Sequence, residues 1–416
     1  MPNSVVLLNV HADRISAEVQ VPLSELQPAF GRAVNDSASQ LIDQLGPQLR
    51  AYLVSHIRPQ SPDGRYWTVT VGTLAMQETQ NPINGTYREL VAQVQLVPPP
   101  GASVRQFSFH YDAVLHQVVT HKILVSVRQD WERGQVAEQA PAQVGVIELD
   151  IVNNRILPLP VRLEGGSVWT GFRSMVALGI EHIADGTDHL LFLLVLLLPA
   201  PLLRVAPRKA GPRLAGNRWG RFGGVRYSLT NLVWIVTAFT LGHSITLLLG
   251  AVGWVRLPSQ PIEVLIAMSI LVSAIHAFRP VFPGREAWVA AGFGLIHGLA
   301  FANTLTDLSL DARRMVLSIL GFNLGIELMQ LFVIALTIPW LILLSQTSVY
   351  GWVRRGGALI AAVAAVSWLV ERVTQQPNRV TTLIEQLVTY APYALAVLAG
   401  TSLLLTYRLR QSPQQA

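Results

Sequence analysis

Residues 179–198 read "GIEHIADGTDHLLFLLVLLL", and the two halves of the stretch suit different solvents. From Leu190 onward the text is apolar enough for a membrane span, whereas the half before it carries Glu181, His182, Asp185, Asp188 and His189. Hydrocarbon tolerates such groups only when they are paired, hydrated or at work, so their place at the mouth of a span is a signal of function.

The rest of the chain agrees that much of its solvent is lipid. Of its 416 residues 51% are hydrophobic and 13% charged, against roughly 25% charged in a soluble globular protein. The polarity is unevenly divided: residues 1–165 carry ordinary polar text, and 172–407 is dominated by long apolar runs. This division gives three segments, an extracytoplasmic β-rich domain over 1–165, a connector over 166–178 and a polytopic transmembrane domain over 179–416. The formal charge of +6 comes from Arg and Lys concentrated in short segments between apolar runs. There they act as topology signals, which argues against nucleic acid as a partner. The chain has no cysteine, so any metal must be held by imidazole, carboxylate or carbonyl groups.

In the first part, β-rich stretches recur as "SVVLLNV", "RISAEVQVPL", "RYWTVTVGTLAM", "ELVAQVQLVP", "RQFSFHYDAVL", "HKILVSVRQDW" and "VGVIELDIV". Turn chemistry separates them, as in "SPDG", "NPINGT" and "PPPGAS". Only 35–57 reads as helix. The expectation is an all-β, sandwich-like domain with one inserted helix. The opening residues show no positively charged n-region and no apolar core of signal-peptide length, so either a leader is missing or the first span directs export.

Taking about 20 apolar residues as the length of a span, the second part predicts an α-helical bundle of about seven spans, near 179–203, 229–252, 262–280, 287–305, 315–344, 356–372 and 387–407. The fifth is long enough to tilt or to contain a break. The loop at 204–226 holds Arg204, Arg208, Lys209, Arg213, Arg218, Arg221 and Arg226 with no acid, which places it on the cytoplasmic side. Arg279 and Arg285, Arg354 and Arg355, and Arg408 and Arg410 fall on that same side by alternation. The expected location is the cytoplasmic (inner) membrane, with the β-domain outside and the C-terminus inside.

Polar groups then stand out within the spans. His182, Asp185 and His189 are spaced i, i+3 and i+7, one face of a helix over two turns, with Asp188 one step around. A solvated helix mouth is the plain alternative, yet interfaces favour scattered Lys, Arg, Trp and Tyr over two histidines interleaved with three acids. "FTLGHSITLLL" places His243 and Ser244 inside the second span, and "GFGLIHGLAFANT" sets His297 among glycines in the fourth. "GFNLGIELMQLF" supplies Asn323, Glu327 and Gln330 on one face of the fifth. By the predicted topology His182, Asp185, Asp188, His189, His243, His297 and Glu327 converge in the outer half of the bilayer, while His276 lies near the inner end of the third span. His189 and His297 should approach one another, with Glu327 or Asn323 fixing their tautomers. Histidines and carboxylates without sulfur suit a borderline divalent cation such as Ni²⁺ or Zn²⁺.

The spacing His182-x5-Asp188-His189 before "LLFLLVLLL", with "HS" at 243–244, "HG" at 297–298 and "FNLGIELMQ" at 322–330, resembles the HupE/UreJ membrane proteins, in their longer branch with an extracytoplasmic β-rich domain. The resemblance implies a permease for nickel or a related transition metal, accompanying hydrogenase and urease maturation, with His182, Asp188 and His189 in the transport site. The fourth span departs from the short branch, having one histidine, His297, where that branch has a fuller His/Glu motif.

Two other functions fit the residues. In an intramembrane zinc-dependent hydrolase or transferase acting on a lipid or lipidated substrate, Asp188 or Glu327 would serve as general base and Ser244 as an oxyanion donor. No HExxH is present to support it. In a non-catalytic receptor or assembly factor, the β-domain would bind an extracytoplasmic partner.

Overall fold

Alternation in the first residues becomes alternation in burial. In the computed structural model, which describes residues 2–34, 38–81, 85–135, 140–205, 218–255, 257–307 and 310–411, β1 (Ser4–Val10) and β2 (Ile15–Pro22) bury every second side chain and pair antiparallel. Helices α1 (Leu23–Phe30) and α2 (Ala38–His56) come next, then β3 (Ile57–Gln60), β4 (Thr68–Asn81), β5 (Gly85–Val97), β6 (Gln106–Tyr111), β7 (Ile123–Asp130), β8 (Ala142–Ile147), the short β9 (Leu149–Asp150) and β10 (Arg155–Ile156), and β11 (Leu159–Arg162). Six strands form one sheet in the order β4-β5-β2-β1-β7-β8, in which only β1 and β7 run parallel. β11-β6-β3 form a second, antiparallel sheet.

This unit is β-rich, but the expected sandwich with a single helix does not describe it. One core is shared by Leu8 and Ile15 of the large sheet, Phe107, Phe109 and Val161 of the small one, and Leu23, Leu26, Leu49 and Leu53 of α1 and α2. Helix α1 is hard to see in the sequence because Pro28 sits inside it and the run is only eight residues long. Arg105 ties the end of β7 to the segment after β11. Its guanidinium holds Asp130 (2.7 and 2.8 Å) and Glu132 (2.9 Å) and also donates to the Glu164 carbonyl (3.1 Å).

By internal contacts the chain divides into two units, Met1–Ser174 and Met175–Ala416. Most of the stretch expected as a connector, 166–178, is helix, because α3 (Val168–Asp185) begins there. After it come α4 (Thr187–Leu197), a hairpin of β12 (Leu202–Val205) and β13 (Arg218–Phe222), then α5 (Val225–Ala251), α6 (Ser259–Phe278), α7 (Glu286–Asp307), α8 (Ala312–Ser345), α9 (Tyr350–Thr374), α10 (Arg379–Val388) and α11 (Ala391–Gln411). Arg208, Lys209 and Arg213 of the basic loop lie outside the described residues.

Among the described residues four helices are long and apolar enough to cross a membrane, at 225–250, 259–278, 312–345 and 350–374. The pair α10 and α11 makes a fifth only if a bend of 63° is allowed within one span. Seven spans are therefore not what the helices show. The expected first span is divided at Gly186 into α3 and the 11-residue α4, and the expected last one is bent. Helix α8, by contrast, runs unbroken through Pro339 for 34 residues. Leu241, Leu320, Leu359 and Ile360 stand exposed on these helices, as side chains do when the solvent is hydrocarbon. The chain is thus a multi-pass membrane protein.

Two crossings without side chains between them bring the helices close. A Cβ on Gly242, Gly294 or Gly298 would run into backbone atoms of the partner helix, so α5 and α7 meet backbone to backbone beside His243 and His297. Gly179 and Gly325 do the same for α3 and α8.

Candidate functional site

The crossing of α5 and α7 places His243 and His297 in a dry interior, and both imidazoles are buried. Helix α4 adds His189, whose ring centroid lies 5.2 Å from that of His297. The expected approach of these two residues is present. His182, from α3, lies 4.7 Å from His189 on the other side, even though the helix expected to stack them is interrupted. Gly186 makes the interruption: a Cβ there would meet His189 Nδ1 at 2.6 Å and the His182 carbonyl at 2.8 Å. His243 lies within electrostatic reach of both His189 and His297. Phe192 and Phe239 pack against His297, each with centroids 5.2 Å away.

The hydrogen bonds assign the proton of each ring to one nitrogen. His189 Nδ1 faces the carboxylate of Asp188 at 2.9 Å, and a carboxylate only accepts, so Nδ1–H donates. Asn323 uses its amide nitrogen on the Ile319 carbonyl (2.8 Å), which turns its oxygen toward His243 Nδ1 at 3.4 Å; that nitrogen also donates. Ser269 gives its hydroxyl hydrogen to the Ile266 carbonyl (2.7 Å), so its oxygen accepts from His297 Nε2 at 3.0 Å. In each ring the remaining nitrogen therefore holds a lone pair. His189 Nε2, His243 Nε2 and His297 Nδ1 are all buried without a hydrogen-bond partner among the described residues. Leaving such an acceptor without a partner costs about 1–3 kcal/mol, so three of them in one region mark a place for water, an ion or another donor.

This is the pattern of a metal-ligating imidazole, whose distal N–H is held by a carboxylate, amide or hydroxyl so that the other nitrogen faces the ion. Among the described residues no three His, Asp or Glu side chains are set to hold one ion as they stand.

The other residues expected at the site are placed differently. Asp188 acts through His189, its Oδ1 also accepting from the His189 backbone N–H (2.9 Å). Asp185 is exposed and Glu327 half-buried, and neither makes a hydrogen bond or ion pair with the histidines. Asn323 does fix a tautomer, but that of His243 rather than of His189 or His297. Ser244 donates to the Thr240 carbonyl one turn back (2.7 Å) and presents no free hydroxyl hydrogen. Ser269 has no mark in the sequence. A serine in an apolar span usually bonds its own backbone, and only the packing of α6 on α7 shows it doing that and supporting a histidine as well.

A family model described as HupE / UreJ protein matches residues 161–372, just over half of the chain. The chain belongs to the HupE/UreJ family. This is a membrane family associated with nickel and cobalt transport. The matched segment contains every histidine of the cluster and leaves nearly all of the β-rich unit outside. Nothing matches among curated proteins, and nothing matches among solved structures.

Proposed function

We propose that this chain is a transition-metal permease of the inner membrane, carrying Ni²⁺ or a chemically similar divalent ion such as Zn²⁺ through the histidine cluster, with its β-rich unit outside. One observation carries the reading: three buried imidazole nitrogens with lone pairs and no partner among the described residues, at His189, His243 and His297, each aimed by a partner on its opposite nitrogen. Imidazole without thiolate suits nickel, zinc and cobalt better than softer or harder ions. His182, beside His189, is the fourth imidazole of the set. The ion is cargo, and the looseness of the set suits that role, since a site that must release its ion gains nothing from a closed cage.

In this scheme Asp188 supplies negative charge one bond removed from the ion and keeps His189 in the donating tautomer. Asp185, exposed at the end of α3, is placed to meet the hydrated ion before the histidines do. Glu327, a half-buried carboxylate on α8 four residues from Asn323, adds negative charge to the helix that supports His243. The hydrolase alternative is weaker on geometry, because Asp188 is engaged by His189 and Ser244 by its own helix.

The test is uptake of radioactive nickel into proteoliposomes containing the purified chain. Accumulation above protein-free vesicles, lost in His189→Ala, is the expected result. Stoichiometric bound metal with no accumulation of nickel, cobalt or zinc would reject transport and return the enzyme and receptor readings to the front.

A further inference from the structure

The N-terminal unit contains a second place where histidines keep unused lone pairs, and it shares no residue with the bundle. Helix α2 ends at His56, and the turn after β6 lays His116 over it, the rings stacked with centroids 4.3 Å apart and planes 19° from parallel. Asp112, the first residue beyond β6, holds both. Its Oδ1 accepts from His56 Nδ1 (2.7 Å), its Oδ2 from Arg58 (2.9 Å), and its backbone carbonyl from His116 Nδ1 (3.1 Å). A carboxylate only accepts, and both of its oxygens are engaged by donors. Each imidazole spends its N–H on Asp112, and its lone pair stays on Nε2, with no hydrogen-bond partner among the described residues.

The turn that presents His116 is strained. Val114 has φ +67°, a left-handed conformation that β-branched residues rarely adopt. It is held there by burial and by the Tyr52 hydroxyl, which accepts from the Val114 N–H at 2.9 Å. The Tyr52 ring also leans on both histidines, at 4.5 Å from His56 and 6.0 Å from His116. Strain of this kind gathers at binding sites, where the shape it secures is worth keeping.

We propose that His56 and His116 form a binding site on the N-terminal unit for a borderline divalent transition-metal ion, of the class of Ni²⁺, Cu²⁺ or Zn²⁺. Both rings are only half-buried, so an ion reaches them from water. At the usual metal–nitrogen distance of about 2.1 Å, two neighbouring ligand nitrogens stand roughly 3.0–3.4 Å apart, so binding tilts the two ring planes until their Nε2 atoms converge on the ion. Water or a further donor completes the coordination. Asp112 is a positioning residue, fixing the tautomer and direction of both imidazoles as carboxylates and carbonyls do behind metal-bound histidines. The inference stands on its own residues and does not need the permease reading.

Calorimetric titration of NiCl₂ into the full-length purified protein tests it, comparing wild type with His56→Ala/His116→Ala and with His189→Ala. The double variant is expected to lose one equivalent of bound nickel that His189→Ala retains, and Asp112→Asn to weaken that equivalent by about 10–100-fold. Unchanged stoichiometry and affinity in the double variant would overturn the proposal, whatever happens at His189. Should the double variant unfold, carbethoxylation of the wild type read by mass spectrometry decides the matter. Protection of His56 and His116 by saturating nickel supports the site, and full reaction of both in its presence refutes it.

Discussion

His297 on α7 and His276 on α6 are both buried imidazoles on helices that pack together, yet they face opposite chemistry. His297 donates to Ser269 and keeps a lone pair on a nitrogen with no partner among the described residues. His276 accepts on Nδ1 from the backbone N–H groups of Val281 (3.1 Å) and Phe282 (3.4 Å), so its ring hydrogen sits on Nε2, directed toward Glu286 at 3.7 Å. Phe282 stacks on the ring at 3.8 Å, and Trp219 donates to the His276 carbonyl (3.1 Å). Its lone pair is thus consumed in closing the turn between α6 and α7. Burial of a histidine does not by itself make a ligand; which nitrogen the surroundings occupy decides. His276, expected near the inner end of the third span, is part of a structural cap, beside Arg354, which donates to the Phe278 carbonyl (2.8 Å).

Substitutions can break this contrast, and the largest effect should come from the crossing that assembles the donating side. In Gly294→Val a side chain would meet the backbone of Phe239 and His243. Nickel uptake should fall below detection, with a lower melting temperature in detergent. Retained uptake would show that the cluster does not depend on close contact of α5 and α7.

Next in size is the direct comparison of His189→Ala with His276→Ala. Nickel affinity by calorimetry should drop by at least 100-fold in the first and by no more than about twofold in the second, whose cost should appear as reduced thermal stability of about 1–3 kcal/mol from the unpaired N–H groups it leaves. Equal losses of affinity would mean that the tautomer assignment does not distinguish the two histidines.

Asp188→Asn keeps the shape of the partner but removes its charge, and should weaken nickel by about 10–100-fold with the fold intact. An unchanged dissociation constant would detach Asp188 from the site. The smallest effect on the donating side is expected from Ser269→Ala. It frees the proton of His297 to move to the other nitrogen and should cost roughly tenfold in affinity, at the low end of what loss of a supporting partner costs. Tighter binding in this variant would show that Ser269 opposes the loaded state.

The two-part plan, the lipid solvent of the second part and the family are legible in the sequence, because composition, apolar run length and the His-x5-Asp-His spacing are local properties. The sequence also named His182, His189, His243 and His297, since histidine inside an apolar run is conspicuous without any structure. Helix breaks were less legible. Residues 179–198 look continuous, and it takes the contact of Gly186 with His189 and His182 to show that a side chain there would not fit. The mixed β-rich unit likewise reads as a plain sandwich, because the placing of α1 and α2 in its core depends on partners distant in the chain. The roles come from the packing of the helices. Asp188, Asn323 and Ser269 each reach a different histidine, and Val281 and Phe282 take the lone pair of His276. The partners of His243 and His297 come from helices far away in sequence, and a proton's place on an imidazole is set by the group beside each nitrogen, which no spacing along the chain encodes.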